Sequence, residues 1–289
     1  MEQPHDTLSE VAYQAELTGQ LGPVTATADH ILDRYRRCAL WRLFPKEFMF
    51  KRLHEIGITG KEFLEFGCGE GVISTQLARL GARVTAVDIS PELIARAEQR
   101  GQLDGISARI TFMVRDIMRS PLEPNRFDVL LCYAVLHHVD TDLVPRLLAS
   151  LKPGGLAIMV EPIAFSRSLQ RLRDLLPMKK HASPDERQLS EAEIDDIAGR
   201  LVDREVVFFN LLGRFARFLP NRNKIDRGHP FTKTALIGLL GFDRLLLTLF
   251  PFLSRLCGTV VIVGRRRHRA QPQAHPSGAP ANRATACPR

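Results

Sequence analysis

The stretch FLEFGCGEGV, Phe63 to Val72, decides the fold of this 289-residue chain. A short apolar run ends in glycines at every second position, Gly67, Gly69 and Gly71, and a segment with helical spacing follows. This pattern predicts a strand, a sharp turn and a helix. Such a unit presents backbone N–H groups at the carboxyl edge of a parallel sheet, where ligands of doubly wound folds bind. We therefore expect a ligand site at this turn.

Similar apolar runs continue along the chain. RVTAVDI, ITFMVRDI, FDVLLCYA and LAIMVEP alternate with helical patterns, and REVVFFNLL and CGTVVIVGRR follow near the end. The segment TDLVPRLLASLKPGG predicts a helix closed by Pro153 and Gly154. Because polar and apolar residues do not alternate within the strands, both faces of the sheet should be buried. The predicted fold class is α/β, a doubly wound, mostly parallel, seven-stranded Rossmann-like sheet with N-terminal helices and an apolar helical insertion before the last strand.

Composition divides the chain into three predicted parts. Residues 1–54 form an N-terminal helical cap, and residues 55–264 form the sheet domain, in which 163–257 include a substrate-binding or lid insertion. Within the insertion, the apolar stretch Thr234–Leu256 is interrupted by Asp243 and Arg244, which argues against a membrane span. We expect a helical hairpin that packs on the sheet or covers an apolar pocket, with shallow contact to a membrane surface as the alternative.

The net charge of +8 belongs to the end of the chain. Residues 265–289 hold six arginines and no acidic residue, so the preceding residues carry only +2. This segment is rich in Pro, Ala and Arg, and we expect a disordered basic tail rather than a nucleic-acid-binding face. The five cysteines show no paired spacing, which predicts neither disulfides nor a metal site. The N-terminus does not resemble a signal peptide, so a cytoplasmic location is expected.

The glycine turn does not match the common phosphate-binding loops. The dinucleotide fingerprint needs its third glycine where this chain has Val72, and the turn lacks the lysine that a P-loop requires. A carboxylate at Glu65 would repel a pyrophosphate but would attract an ammonium group. Asp88, 21 residues after Gly67, ends the second strand, where it can accept hydrogen bonds from a ribose diol. The expected ligand is a nucleoside with a cationic side arm and no phosphate.

The segment from Lys61 to Pro162 resembles the class I methyltransferase family. The matching motifs are LEFGCGEG, VTAVDIS, the RDI around Asp116, FDVLLCYAVLHHV, and LKPGG followed by LAIMVEP. The resemblance implies S-adenosyl-L-methionine as the cofactor. It also implies that Glu65 and the glycine turn hold the methionine portion and that Asp88 binds the ribose. Residues after β-strands two and three would contact adenine, and residues at the end of the fourth strand would line the methionine side. The implied cofactor-binding residues are Glu65, Gly67, Cys68, Gly69, Gly71, Asp88, Ile89, Asp116, Ile117, Tyr133 and Ala134.

Three residues are candidates for acid–base chemistry at the methyl acceptor. His137 and His138 follow the fourth strand, and histidine titrates in the useful range. Glu161 ends the fifth strand, where side chains can face the cleft. Each of the three also has a purely structural interpretation. One of the two adjacent histidines should pack in the core or bind the backbone, and Glu161 could bind the backbone of a loop. His181 and His229, in loops that could cover the pocket, have no supporting spacing.

The acceptor is expected to be a hydrophobic small molecule, methylated on O or N. The cap and the insertion contribute many aromatic residues, more than phosphate binding would use: Trp41, Phe44, Phe48, Phe165, Phe208, Phe209, Phe215, Phe218, Phe231 and Phe242. The LHHV element suggests a resemblance to quinone, lipid and natural-product methyltransferases. Two alternatives remain, an RNA methyltransferase and a non-catalytic S-adenosylmethionine-binding protein. We expect no metal, no nucleic-acid partner and at most peripheral membrane contact.

Overall fold

A computed structural model describes residues 14–16, 18–163, 188–213 and 230–268. Its strands are β1 Glu62–Phe66, β2 Arg83–Asp88, β3 Ile110–Val114, β4 Phe127–Tyr133, β5 Leu151–Pro162, β6 Leu201–Phe209 and β7 Thr259–Arg266. Its α-helices are α1 Asp29–Arg37, α2 Pro45–Ile56, α3 Val72–Arg79, α4 Pro91–Leu103, α5 Val144–Ser150, α6 Glu191–Gly199 and α7 Pro230–Leu249.

The seven strands form one sheet in the order β3-β2-β1-β4-β5-β7-β6. Strands β1 to β5 pair in parallel, whereas β7 lies antiparallel between β5 and β6. The predicted mostly parallel, seven-stranded α/β sheet is therefore confirmed. The strand order reverses between β1 and β4, and ligands bind at such a switch point, outside the carboxyl ends of the strands.

Both faces of the sheet are buried along its central strands, as the lack of alternation predicted, whereas the edge strands β3 and β6 are partly exposed. Phe63 and Leu64, neighbours in β1, belong to the two opposite apolar layers and are fully buried. On one face α2 inserts Phe48, Phe50 and Leu53 into the core beside residues of α3. The N-terminal helices thus pack on the sheet that carries the ligand site.

Two predicted boundaries are wrong. The helix before β5 ends at Ser150, and Leu151 already pairs with Phe127 of β4, because Pro153 has no N–H to continue a helix. At the other end β7 runs to Arg266, so the tail predicted from residue 265 begins inside a strand. The Arg266 guanidinium donates to the carbonyl of Ala149 at 2.9 Å, which fixes the end of this strand to the body.

The apolar insertion forms one helix rather than a hairpin. Helix α7 runs through Asp243, and a 3₁₀ turn, Pro251–Leu256, follows it. The Asp243 carboxylate is buried and accepts the backbone N–H groups of Leu212 at 2.7 Å and Gly213 at 2.9 Å. Phe165, Phe215, Phe218, His181, His229 and the tail after residue 268 lie outside the described residues.

Candidate active site

A cavity of about 640 Å³ opens at the carboxyl ends of β1, β2 and β4. Its volume lies in the range of sites that enclose small molecules, roughly 300–1,000 Å³. The expected cofactor-binding residues meet around it with the exception of Gly71. Those that line the cavity are Glu65, Gly67, Cys68, Gly69, Asp88, Ile89, Asp116, Ile117, Tyr133 and Ala134.

The glycines of the turn have different surroundings. Gly67 has φ +69°, and a Cβ atom there would lie 2.2 Å from Cγ2 of Val135. Gly69 has φ +50°, yet apart from the residue itself and its two chain neighbours no heavy atom lies within 4 Å of the position its Cβ would take. Gly71 begins α3 tightly against Ala97 and does not line the cavity. The turn therefore leaves free space for a ligand at Gly69, while Gly67 and Gly71 are required for packing.

Glu65 and Lys46 place opposite charges in the same cavity wall. Glu65 is 2% exposed, and the hydroxyl of Ser74 donates to its carboxylate. Burial raises the pKa of Glu65 to about 7, against the opposing effects of Ser74 and Lys46. Burial lowers the pKa of Lys46 to about 8, although the Glu65 carboxylate opposes this shift. Near neutral pH the wall can offer both a carboxylate and an ammonium group.

The acids at the ends of the next strands also hold the backbone around the cavity. Asp88 accepts the N–H of Gly69 at 2.8 Å and the N–H of Ser90 at 3.0 Å. Asp116 accepts the N–H of Met118 at 2.8 Å. An ionised carboxylate has about four lone-pair directions, so each acid can hold its turn and still accept hydrogen bonds from a ligand.

Aromatic surface closes the side of the cavity near Lys46. The Lys46 Nζ lies 5.8 Å from the ring centroid of Tyr133 and 5.2 Å from that of Tyr35. Burial raises the pKa of the Tyr133 phenol, so this group stays protonated at neutral pH. Ala134 turns the chain with φ +55°, and its N–H donates to the carbonyl of Val160 at 2.7 Å. The chain then leaves β4 along the cavity edge.

The three candidates for acid–base chemistry occupy different positions. His138 lines the cavity, whereas His137 and Glu161 do not. The fully buried Glu161 carboxylate accepts the N–H groups of Val135 at 3.0 Å and Leu136 at 2.9 Å, and its other oxygen lies 2.9 Å from Nδ1 of His137. The expectation that Glu161 and His137 face the acceptor is therefore corrected. Their contacts fix the 3₁₀ turn that presents His138.

Several lining residues were not expected from the sequence. Lys46 and Gln14 reach the cavity from the N-terminal region, and Arg115, Met118 and Asp140 line it from loops after the strands. The only sequence signal for Lys46 was an apolar helical pattern around it. Among the described residues no cluster of three or more His, Cys, Asp or Glu side chains could hold a metal ion. In the same residues, the helices are too short or too polar to cross a bilayer.

Comparisons with known proteins agree with this geometry. The family model for the methyltransferase domain matches residues 64–159. The chain is 31% identical over 176 residues to a ubiquinone biosynthesis O-methyltransferase of Xanthomonas euvesicatoria pv. vesicatoria, covering 54% of this chain and 72% of that protein. It is 39% identical over 104 residues to the mitochondrial ubiquinone biosynthesis O-methyltransferase of Schizosaccharomyces pombe, covering 35% of this chain but only 38% of that protein.

Solved structures share the fold at low sequence identity. The magnesium protoporphyrin IX methyltransferase of Synechocystis PCC 6803, solved with bound S-adenosylhomocysteine, aligns with a TM-score of 0.52 and 17% identity, covering 90% of this chain and all of that one. The likeness shows the sheet architecture, and the Xanthomonas relative shows the family. This chain belongs to the class I S-adenosylmethionine-dependent methyltransferases.

Proposed function

We propose that the protein transfers the methyl group of S-adenosylmethionine to an oxygen or nitrogen atom of a hydrophobic, quinone-like small molecule. The observation that carries this proposal is one cavity in which the strand-end acids Glu65, Asp88 and Asp116 meet an otherwise largely apolar wall. The relatives named above are ubiquinone biosynthesis O-methyltransferases, which supports a quinone-like acceptor.

The cavity residues fit the parts of the cofactor. The Glu65 carboxylate would attract the ammonium of the methionine end, and the Lys46 ammonium would attract its carboxylate. The open space at Gly69 allows a ligand to approach the backbone. Asp88 would accept the ribose hydroxyls, and Asp116 would bind the adenine edge beside Ile117. These four side chains thus account for the charged and polar parts of the molecule.

S-adenosylmethionine supplies, when bound, a methyl group on a sulfonium, which is already activated for transfer. The protein has to hold the acceptor in line with that methyl group and exclude water. Val139 and Leu143 provide apolar surface beside His138. A nitrogen of the His138 imidazole would take the acceptor's hydroxyl or amine proton as the new bond to carbon forms and the sulfur–carbon bond breaks.

The cysteines are the feature of the chain that bears on its location. The described cysteines, Cys38, Cys68, Cys132 and Cys257, are buried and free. Free thiols of this kind are typical of reducing compartments, and on that basis we propose a cytoplasmic location.

Calorimetric titration with S-adenosylmethionine tests the proposed site. Asp88→Ala removes two charge-assisted hydrogen bonds to the ribose, each worth roughly 1.5–3 kcal/mol, so affinity should fall at least about 100-fold. Asp195→Ala, on the exposed side of α6, is the matched control and should bind like the wild type. Unchanged affinity in a folded Asp88→Ala protein would remove the basis of the proposal.

A second assay separates the enzyme from a non-catalytic binding protein. Labelled donor is incubated with hydrophobic hydroxylated and amino compounds, and methylated product is measured. Product formation that is lost in His138→Ala while cofactor affinity is retained supports the assigned proton acceptor. Tight cofactor binding without any methylated product across the compound set would favour the binding protein.

A further inference from the structure

The N-terminal segment forms one wall of the cavity. Gln14 lines the cavity, and the hydroxyl of Thr18 donates to the Gln14 carbonyl at 2.6 Å. Residues 21–28 form neither helix nor strand and lead to α1. Backbone groups outside helices and strands still need hydrogen-bond partners. The position of this segment therefore depends on side chains from other elements.

Two arginines on one face of α4 supply such partners. Arg96 and Arg100 are four residues apart, a spacing that places side chains on the same side of a helix. Nη2 of Arg96 donates to the carbonyl of Gly22 at 2.7 Å. Nη1 of Arg100 donates to the carbonyl of Thr25 at 2.7 Å. The segment thus lies along α4 and follows the direction of the helix.

The end of the segment near α1 is fixed at the C-terminus of α4. Asp104 accepts the N–H of Thr27 at 2.7 Å, and Arg79 of α3 donates to the carbonyl of the same residue. The N-terminus of α4 lies next to the cavity, which Leu93 lines. From its fixed end the segment therefore runs back along α4 towards the cavity and Gln14.

The same two arginines bind the glycine turn through Glu70. The Glu70 carboxylate accepts Nη2 of Arg96 at 2.7 Å and lies 3.5 Å from Nη2 of Arg100, and its backbone carbonyl accepts Nε of Arg100 at 3.0 Å. The three side chains are between 12% and 24% exposed, so water screens these contacts less than those of a fully exposed ion pair. Each guanidinium thus joins the turn to the N-terminal segment.

The backbone of the turn has hydrogen bonds of its own. The N–H of Gly69 donates to the Asp88 carboxylate at 2.8 Å, and the N–H of Gly71 donates to the carbonyl of Cys68 at 2.9 Å. Glu70 does not line the cavity. Removing the charge of its side chain should therefore loosen the N-terminal segment more than the turn.

We propose that Glu70 is a positioning residue for cofactor binding. Through Arg96 and Arg100 it holds residues 18–28 against α4, so that Gln14 closes one side of the cavity. The inference rests on the proposed placement of S-adenosylmethionine in this cavity. Loosening the segment would open the wall and speed release of the cofactor, although the groups that contact the cofactor stay unchanged.

Two measurements on the full chain test this role. Labelled S-adenosylmethionine chased with unlabelled cofactor gives the release rate, which should be roughly ten-fold higher in Glu70→Gln, because the lost hydrogen bonds involve charged groups and affinity changes appear mainly in dissociation. Amide hydrogen exchange without cofactor should be faster than in the wild type for residues 18–28 and unchanged for residues 67–71.

Matched variants separate the positioning role from a general loss of stability. Glu62→Gln breaks an ion pair with Arg83 at the start of β1, where the acid is 30% exposed, and should behave like the wild type in both measurements. Arg96→Gln should reproduce the effects of Glu70→Gln. The double variant should release the cofactor no faster than the stronger single variant, because residues that act through one contact are not additive.

Three results would overturn the proposal. One is a Glu70→Gln protein whose release rate and exchange of residues 18–28 equal those of the wild type. Another is faster exchange of residues 67–71 alone, since Glu70 would then support only the turn. The third is additive effects of Glu70→Gln and Arg96→Gln. Unchanged cofactor affinity in Asp88→Ala would instead refute the placement of the cofactor, and the exchange of residues 18–28 would still show whether Glu70 holds the segment.

Discussion

Adding a methyl group at Gly69 should weaken cofactor binding while the protein stays folded. The φ of +50° makes an alanine there cost about 1–2 kcal/mol of folding free energy. Apart from its own residue and the two chain neighbours, no heavy atom lies within 4 Å of the new methyl group, so no clash with another part of the protein adds to that cost. The methyl would project into the space left for the ligand, and an overpacking penalty of roughly 1–3 kcal/mol predicts about a 5- to 150-fold loss of affinity for S-adenosylmethionine.

Gly67→Ala is the contrasting variant in the same turn. Its methyl would meet the Val135 side chain at 2.2 Å, so the overpacking penalty of about 1–3 kcal/mol is added to a similar backbone cost. Its melting temperature should fall clearly below that of Gly69→Ala, since about 1 kcal/mol corresponds to roughly 2–4 °C in a domain of this size.

Differential scanning calorimetry and isothermal titration calorimetry measure the two effects separately. Gly69→Ala should melt a few degrees below the wild type and bind the cofactor weakly, whereas Gly67→Ala should melt at a still lower temperature. The reasoning is refuted if Gly69→Ala binds the cofactor as tightly as the wild type. It is also refuted if both variants lose the same stability.

Two other predictions concern buried carboxylates. Burial raises the pKa of Glu65 from 4.5 to about 7, so in the absence of cofactor the folded chain keeps this proton to a higher pH than the unfolded chain. The stability that the protonated Glu65 contributes is therefore complete below pH 4.5 and is lost as the pH rises through about 7. Cofactor affinity should rise over the upper part of that pH range, because the carboxylate forms there. Melting and titration across pH test this, and a Glu65→Gln protein that retains the same pH dependence would contradict it. Asp243→Asn replaces a carboxylate oxygen that accepts the N–H of Leu212 or Gly213 by an amide NH₂. It should lower the free energy of unfolding, measured by chemical denaturation, by about 1–3 kcal/mol. Asp195→Asn, on the surface, is its control, and equal stability of the two variants would show that the Asp243 contacts contribute little.

Much of the ligand site could be predicted because its residues follow local patterns. Glu65 and Asp88 stand in the buried strands β1 and β2, and Asp116 follows two residues after the end of β3. Parallel strands end at the same edge of a sheet, so recognising the strands is enough to predict that these acids lie close together. Tyr133 could be predicted for the same reason, since it ends β4, the strand that pairs with β1.

Residues that depend on packing between distant segments could not be predicted. Lys46 reaches the cavity only because α2 packs on the sheet, and an isolated FPKEFMF segment carries no sign of that position. Glu161 ends a strand like the other acids, but the following chain folds a 3₁₀ turn whose N–H groups take up its oxygens. Whether such an acid meets a ligand or a backbone depends on the neighbouring loop.

The sequence by itself determined the α/β architecture, the glycine turn and the acids that border the cavity, because apolar periodicity and glycine placement act over a few residues. Only the tertiary structure decided which histidine reaches the cavity, that Lys46 faces Glu65, and that α7 buries Asp243 while exposing its phenylalanines. Those outcomes depend on which surfaces meet when segments far apart in the chain compete to bury apolar area and to pair every buried charge.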